Sequence, residues 1–233
     1  MNLSSPAPVA VALDAPDAST MVRWAALVGS HVSHVKVGLE VYLRDGAPAV
    51  HQVREASPST QVFLDLKLHD IPATVAGAAR SVAHLEPHIL TVHAAGGAAM
   101  IEAAAQALPN TLIAGVTILT SLSDEDLRHI GMQGSSAECV VRLAHLAVQS
   151  GARALVCSAQ EVALVRDAVG TSVLLITPGI RPAGSSADDQ ARVATPASAL
   201  AAGSDLLVIG RPITGAVDPA SAAQAIAAEI LAR

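Results

Sequence analysis

The stretch VFLDLKLHDIPATV, residues 62–75, decides how the rest of the chain is read. It opens as an apolar β-run, Val62-Phe63-Leu64, and then sets Asp65, Lys67 and Asp70 where a buried strand should end. Beyond Asp70, a good helix-capping type, Pro72 stands in the first turn of a helical pattern over 72–86. The stretch is therefore one strand, one charged turn and the start of one helix.

The same unit recurs along the chain. Strand-like runs fall at 8–13, 34–39, 61–67, 89–93, 111–118, 153–157, 172–177 and 205–209. Several are unbroken apolar runs, such as VLLI and LLVI. Such runs suit a parallel sheet buried on both faces. Helical patterns fill the gaps, at 17–29 behind an Asp17 cap, at 135–150 ending in Ser-Gly, at 159–169 ending at Gly170, and at 219–232 beginning with Pro219. About eight strands alternating with about eight helices predict an α/β fold, a (β/α)8 TIM barrel, with residues 1–233 as a single domain. The alternative, a doubly wound sheet, usually needs fewer strands, and no GxGxxG follows the first one. No repeat or linker divides the chain, and the Gly/Ser/Pro-rich segment 178–197 reads as a long loop after the seventh strand.

Bulk properties narrow the function. The 233 residues are 52% hydrophobic and 15% charged, with aromatics at only 1%, so Ala, Val, Leu and Ile must build the core. A net charge of -6, a pI near 5.8 and the lack of a Lys/Arg cluster argue against a nucleic-acid surface. No apolar stretch approaches the roughly 20 residues that span a membrane. The first residues lack Lys and Arg, and Asp14 interrupts the only early apolar run, so no secretion leader is expected. Cys139 and Cys157 have neither disulfide nor zinc spacing and read as buried thiols. A cytoplasmic protein is the plain expectation.

Asp65 and Lys67 are two apart, so on a strand they share a face, while Leu66 and Leu68 point to the helices. In a barrel the shared face is the inner one, and active sites sit at the C-terminal strand ends. Ions there lose hydration at a cost of several kcal/mol each and persist only when paired. On the neighbouring strand, HVKVGLE puts Lys36 inside an apolar run. Lys36, Asp65, Lys67 and Asp70 thus form an array of two positive and two negative charges. Carboxylates beside an amine favour its charged form. The array reads as a proton donor next to a fixed negative charge, needing no metal or organic cofactor. A purely structural ion-pair network is the other reading of the same spacing.

LDLKLHDIPATV resembles the signature of the orotidine 5'-phosphate decarboxylase family, Asp-x-Lys-x-x-Asp-Ile-Pro-x-Thr. Further segments resemble the family in order over residues 9–215: VALD with Asp14, VKVGLE with Lys36, ILTS with Thr120 and Ser121, TPGIRP with Arg181, DDQAR with Gln190, and VIGRPIT with Gly210 and Arg211. The resemblance implies cofactor-free conversion of orotidine 5'-monophosphate to uridine 5'-monophosphate (UMP) and carbon dioxide, the last step of de novo UMP synthesis. It implies that Lys67 stabilises the ring carbanion and protonates it, that Asp65 sits against the departing carboxylate, and that Lys36 and Asp70 complete the charge chain. Asp14 and Lys36 would contact the ribose, and Thr120 and Ser121 the pyrimidine amide. It further implies a homodimer in which Asp70, Ile71 and Thr74 reach the neighbouring subunit's site. Ala73 stands where many members have Asn, and Leu68 where an aromatic is common.

The phosphate end also follows from barrel architecture, because the loops after strands seven and eight often grip phosphate. Those loops carry Arg181, Gln190, Gly210 and Arg211. Gly210 permits close backbone approach and Arg211 offers a bidentate fork. Gly184-Ser185-Ser186 reads as a lid hinge. The histidines are not promoted to a metal site: only His93, with Asp65, is placed for one, and Lys67 would repel a cation. His31, His34, His51, His84, His88, His129 and His145 read as surface or helix positions. HAAGGAAM at 93–100 reads as a tight strand-to-helix turn, and Asp124-Glu125-Asp126 as a solvated helix start. Two rivals remain: a magnesium-dependent sugar-phosphate decarboxylase or aldolase on the same barrel, and a non-catalytic nucleotide-binding barrel.

Overall fold

The apolar runs become eight strands: β1 (Ala7–Ala12), β2 (Val32–Gly38), β3 (Gln61–Leu68), β4 (Ile89–His93), β5 (Leu112–Val116), β6 (Ala154–Val156), β7 (Leu174–Thr177) and β8 (Leu206–Ile209). In this computed structural model, which describes residues 6–182 and 194–232, they form a closed barrel in sequence order. Every neighbouring pair is parallel, and β1 closes on β8 through Val9 opposite Leu207. Closure abolishes the sheet edges, and the helical crossovers cover the outer face.

Two apolar layers result. The larger lies between the sheet and the helices and takes the outward residues of each strand, such as Val35, Val37, Leu64 and Val92. Leu66 and Leu68 pack against it as well. Trp24, on the helix Ala18–Val28, covers it from outside. The smaller core fills the barrel itself, with Ala10, Phe63, Ile89, Ala114 and Ile176. Phe63, the only Phe of the chain, is 1% exposed there, a burial worth roughly 1.5–3 kcal/mol.

Helix boundaries follow local chemistry. Asp17 caps Ala18–Val28 by accepting from the Thr20 N–H, and Asp218 caps Pro219–Leu231. Ser135 opens Ser136–Gln149 with a capping box, and the acidic run begins the helix Asp124–His129 behind a second such box at Ser123. Three boundaries differ from the sequence reading. The helix after β3 spans Pro72–Ser81, with Ile71 as N-cap rather than Asp70, and a separate 3-10 turn, Ala83–Leu85, takes over beyond Val82. The helix expected at 159–169 starts at Val162, because the Ser158 hydroxyl draws the Gln160 N–H into a turn. The helix Pro196–Ala201, capped by Thr195, begins inside the segment read as loop. The proposed hinge Gly184-Ser185-Ser186 lies outside the described residues.

The floor of the barrel holds a correction. His34 is not a surface residue: it points inward from β2, is 7% exposed, and its Nε2 lies 2.9 Å from His88 Nδ1. Ser33 Oγ meets the other ring nitrogen at 2.8 Å. Burial, then the His88 ring, pushes the His34 pKa down to about 4.

Candidate active site

At the C-terminal mouth, β2 and β3 lie side by side with Gly38 opposite Asp65. Asp65 follows Phe63 on the inner face, and Lys36 follows His34 in the same way on β2. Both Asp65 and Lys36 are 8% exposed. Lys67 Nζ donates to both carboxylate oxygens of Asp65 at 2.9 Å. Lys36 Nζ lies 3.3 Å from Asp65 Oδ2 and 3.5 Å from Asp14 Oδ1. The array therefore runs Lys67–Asp65–Lys36–Asp14, alternating in sign. Burial pushes the Asp65 carboxyl upward, but the Lys36 and Lys67 ammoniums, aided by the Lys67 and Thr91 hydrogen bonds, pull it below the ordinary carboxylate value.

Within one chain the fourth charge of the array is Asp14, while Asp70, expected there from the spacing on β3, faces outward. The Asp70 carboxylate is exposed and accepts the Ile71 N–H at 2.6 Å. Among the described residues it makes no ion pair. Thr74, in the first turn of Pro72–Ser81, is exposed as well.

Strand alternation alone does not deliver Lys67. Between Leu64 and Leu68, β3 runs four residues while β4 runs two, from Leu90 to Val92, so two residues of β3 go unmatched. Within this bulge Lys67 takes φ 47°, the left-handed region that costs a non-Gly residue on the order of 1–3 kcal/mol. Such strain persists only where surrounding contacts hold it. One is visible: the Thr91 hydroxyl of β4 accepts the Lys67 backbone N–H at 2.8 Å and donates to Asp65 Oδ1 at 2.9 Å.

Two cavities meet at Asp65. One, about 240 Å³, is lined by Asp14, Lys36, Asp65, Arg181, Gly210 and Arg211. The other, about 200 Å³, has apolar walls from Phe63, Val116, Ile118 and Val208, with Lys67 and Thr120 at its rim. Ser121 is exposed beside it, and Gln190 lies outside the described residues. Arg181 is 8% exposed, and its Nη1 donates to the Ile180 carbonyl at 3.0 Å. Gly210 sits at the start of the short helix Arg211–Thr214. A ligand spanning both cavities would meet guanidiniums at one end and the lysine–carboxylate array near an apolar pocket at the other. A larger cleft, about 610 Å³, opens at the opposite end of the barrel beside Gln61, His88 and Asn110, with no comparable array.

Three contributors escaped the sequence reading. Thr91 looked like any strand threonine, and nothing in its own segment marks it. Gly38 did carry a signal, a glycine at a strand end. A Cβ there would lie 2.7 Å from Asp14 Oδ1 and 3.0 Å from Lys36 Nζ, so any side chain at this position would displace the two tips of the Asp14–Lys36 pair. Cys157, read only as a buried thiol, is indeed buried, but it also lines the apolar cavity. Its own burial, then the Glu161 carboxylate, pushes its pKa up to about 12. His93 ends β4 with its ring 5.4 Å from His69, and burial, then the His69 and Lys67 charges, hold it below the ordinary His value. Among the described residues no three His, Cys, Asp or Glu side chains converge as metal ligands, and no helix is long and apolar enough to cross a membrane.

Eight parallel strands with crossover helices and a charged C-terminal mouth define a (β/α)8-barrel enzyme. A model of the orotidine 5'-phosphate decarboxylase / HUMPS family matches residues 7–226. A relative named orotidine 5'-phosphate decarboxylase, from Thermobifida fusca (strain YX), is 66% identical over 224 residues, covering 96% of each chain. A relative of the same name from Anaeromyxobacter sp. (strain K) is 52% identical over 94% of this chain and 96% of its own. The crystal structure of orotidine 5'-phosphate decarboxylase from Lactobacillus acidophilus superposes with a TM-score of 0.84 at 36% identity, over 96% of this chain and 99% of that one. The chain belongs to the orotidine 5'-phosphate decarboxylase / HUMPS family.

Proposed function

We propose that this chain decarboxylates orotidine 5'-monophosphate to UMP and carbon dioxide without a cofactor, as the last step of de novo UMP synthesis, with Lys67 as proton donor. The observation that carries this is the unbroken Lys67–Asp65–Lys36–Asp14 array, set between an apolar pocket and a cavity bordered by Arg181 and Arg211. The bond from the ring carbon to its carboxylate breaks, carbon dioxide leaves, and the electron pair stays on the ring carbon. The Lys67 ammonium faces that charge and then gives it a proton, and solvent reprotonates the amine. Asp65 holds Lys67 in line and opposes the carboxylate in the ground state. Lys36 and Asp14 bind the ribose hydroxyls, and Thr120, with Ser121 beside it, borders the pyrimidine amide. Loss of orotidylate absorbance with purified protein tests the proposal. Turnover that persists in chelator supports it, and a requirement for a divalent ion would favour the magnesium-dependent rival. Tight uridylate binding with no carbon dioxide release would favour the non-catalytic one.

The phosphate is assigned to Arg181, Gly210 and Arg211, with Gln190 as a further contact. These groups are remote from the reacting carbon, so their binding energy serves both affinity and closure of the site. Arg211→Ala is expected to raise KM for orotidylate about 100-fold, the loss of a charge-assisted contact worth roughly 1.5–3 kcal/mol. Steady-state kinetics would read this directly, and an unchanged KM would remove Arg211 from the phosphate site.

A homodimer with shared sites is part of the same proposal. Its support is that Asp70, Ile71 and Thr74 face outward beside the mouth, and that Ile71, an apolar residue, is 66% exposed. Mixing Lys67→Ala with Asp70→Ala, each nearly inactive alone, should then restore activity. A heterodimer has one site with both residues intact, so about a quarter of all sites recover at statistical exchange. Additive, unrestored activity after subunit exchange would count against sharing. A cytoplasmic location goes with this reading, supported by two buried thiols left unpaired.

A further inference from the structure

We infer that Thr91 is a positioning residue of the reaction: its hydroxyl pins the β3 bulge so that the Lys67 amine and the Asp65 carboxylate are presented together at the mouth. The inference rests on the roles given above to Lys67 and Asp65.

Thr91 sits on the inner face of β4, between Ile89 and His93, and is completely buried. A hydroxyl has one proton to donate and lone pairs to accept with. Here Oγ1 takes the Lys67 backbone N–H at 2.8 Å and gives its proton to Asp65 Oδ1 at 2.9 Å. One atom thus ties the main chain of the proton donor to the side chain of its partner. The shift of register between Leu64 and Leu68 takes this segment out of the regular ladder, and the threonine supplies the Lys67 N–H with a partner. It also holds the left-handed φ of 47° from which the Lys67 side chain folds back onto Asp65. Without the hydroxyl the bulge can relax, and a displacement near 1 Å at a reacting group costs on the order of 100-fold in rate. The charged or titratable groups that face Asp65 are Lys36 and Lys67, with His93 on the strand that carries Thr91.

The test compares wild type, Thr91→Val and Thr91→Ser in orotidylate turnover across pH, in UMP binding and in thermal unfolding. Valine keeps the shape and loses the hydroxyl, and serine keeps the hydroxyl. Thr91→Val should lower kcat about 100-fold, leave the UMP dissociation constant within roughly threefold, and move the acid limb of the kcat profile to higher pH, because the Asp65 carboxylate has lost a donor. Thr91→Ser should recover kcat to within about tenfold of wild type. Should valine prevent folding, Thr91→Ala gives the same readouts. A hydroxyl-free variant with wild-type kcat overturns the inference. So does loss in the valine and serine variants alike, in step with melting temperature and with the acid limb unmoved. Wild-type protein that does not turn over orotidylate overturns the proposed function itself, and the inference with it.

Discussion

Lys67→Ala should abolish turnover, with kcat down by roughly ten-thousand-fold or more, while UMP still binds within a few-fold of wild type. Two contributions vanish together: the ammonium facing the developing carbanion, and the proton that ends its life. Electrostatic stabilisation of that kind is worth about 10²–10³ in rate and general-acid transfer about 10²–10⁴. The fold should survive. Asp65 keeps Lys36 at 3.3 Å and the Thr91 hydroxyl at 2.9 Å, and the truncated side chain was already 30% exposed. UMP lacks the carboxylate that meets residue 67, so its affinity through the arginine end should hardly change. Calorimetric titration with UMP beside a turnover assay separates the two effects. Near wild-type turnover would remove Lys67 from the chemistry, and loss of UMP binding would show that the variant had failed more broadly.

Asp65→Asn should be nearly as severe for a different reason. Asp65 is the hub of the array: Lys67, Lys36 and Thr91 all end on its carboxylate. An amide of the same shape leaves the buried Lys36 ammonium and the partly exposed Lys67 ammonium without their shared counter-charge and turns an NH2 toward one of them. Removing one partner of a buried pair typically costs 3–5 kcal/mol, which in a chain of this length lowers the melting temperature by about 6–20 °C. The rate should fall about 10³-fold, because Lys67 loses the anchor that aims it. Thermal unfolding and kcat check both halves. A variant with wild-type rate and lowered melting temperature would make the array a structural ion-pair network, the reading that spacing alone left open.

The sequence exposed the barrel for a physical reason. Strands buried on both faces must be apolar throughout, so runs such as Leu206–Ile209 declare themselves, and no strand bound differs from its reading by more than two residues. The same rule made the site legible. A charge inside such a run is costly, so Lys36, Asp65 and Lys67 stood out against their neighbours. What stayed hidden depends on register and on close approach in space. The β3 bulge arises from a mismatch between two strands that neither one encodes alone. Thr91 acts on residues 24 and 26 positions away. Asp70 has the right spacing for the array but lies past the strand end, where the chain turns outward, and within one chain Lys36 is met instead by Asp14, from the loop just after β1. His34 was misjudged because a polar residue early in a strand resembles surface, and only the closed barrel shows which side is inside.

The scarcity of aromatic side chains has a practical outcome. Trp24 is the one indole of the chain, and it rides on the outer coat, lining neither cavity at the mouth. Its emission should therefore track unfolding of that coat and stay dark to nucleotide occupancy. With one Tyr and one Phe besides, the protein contributes little near-ultraviolet background, so the optical change of the pyrimidine ring can be followed at unusually high enzyme concentration.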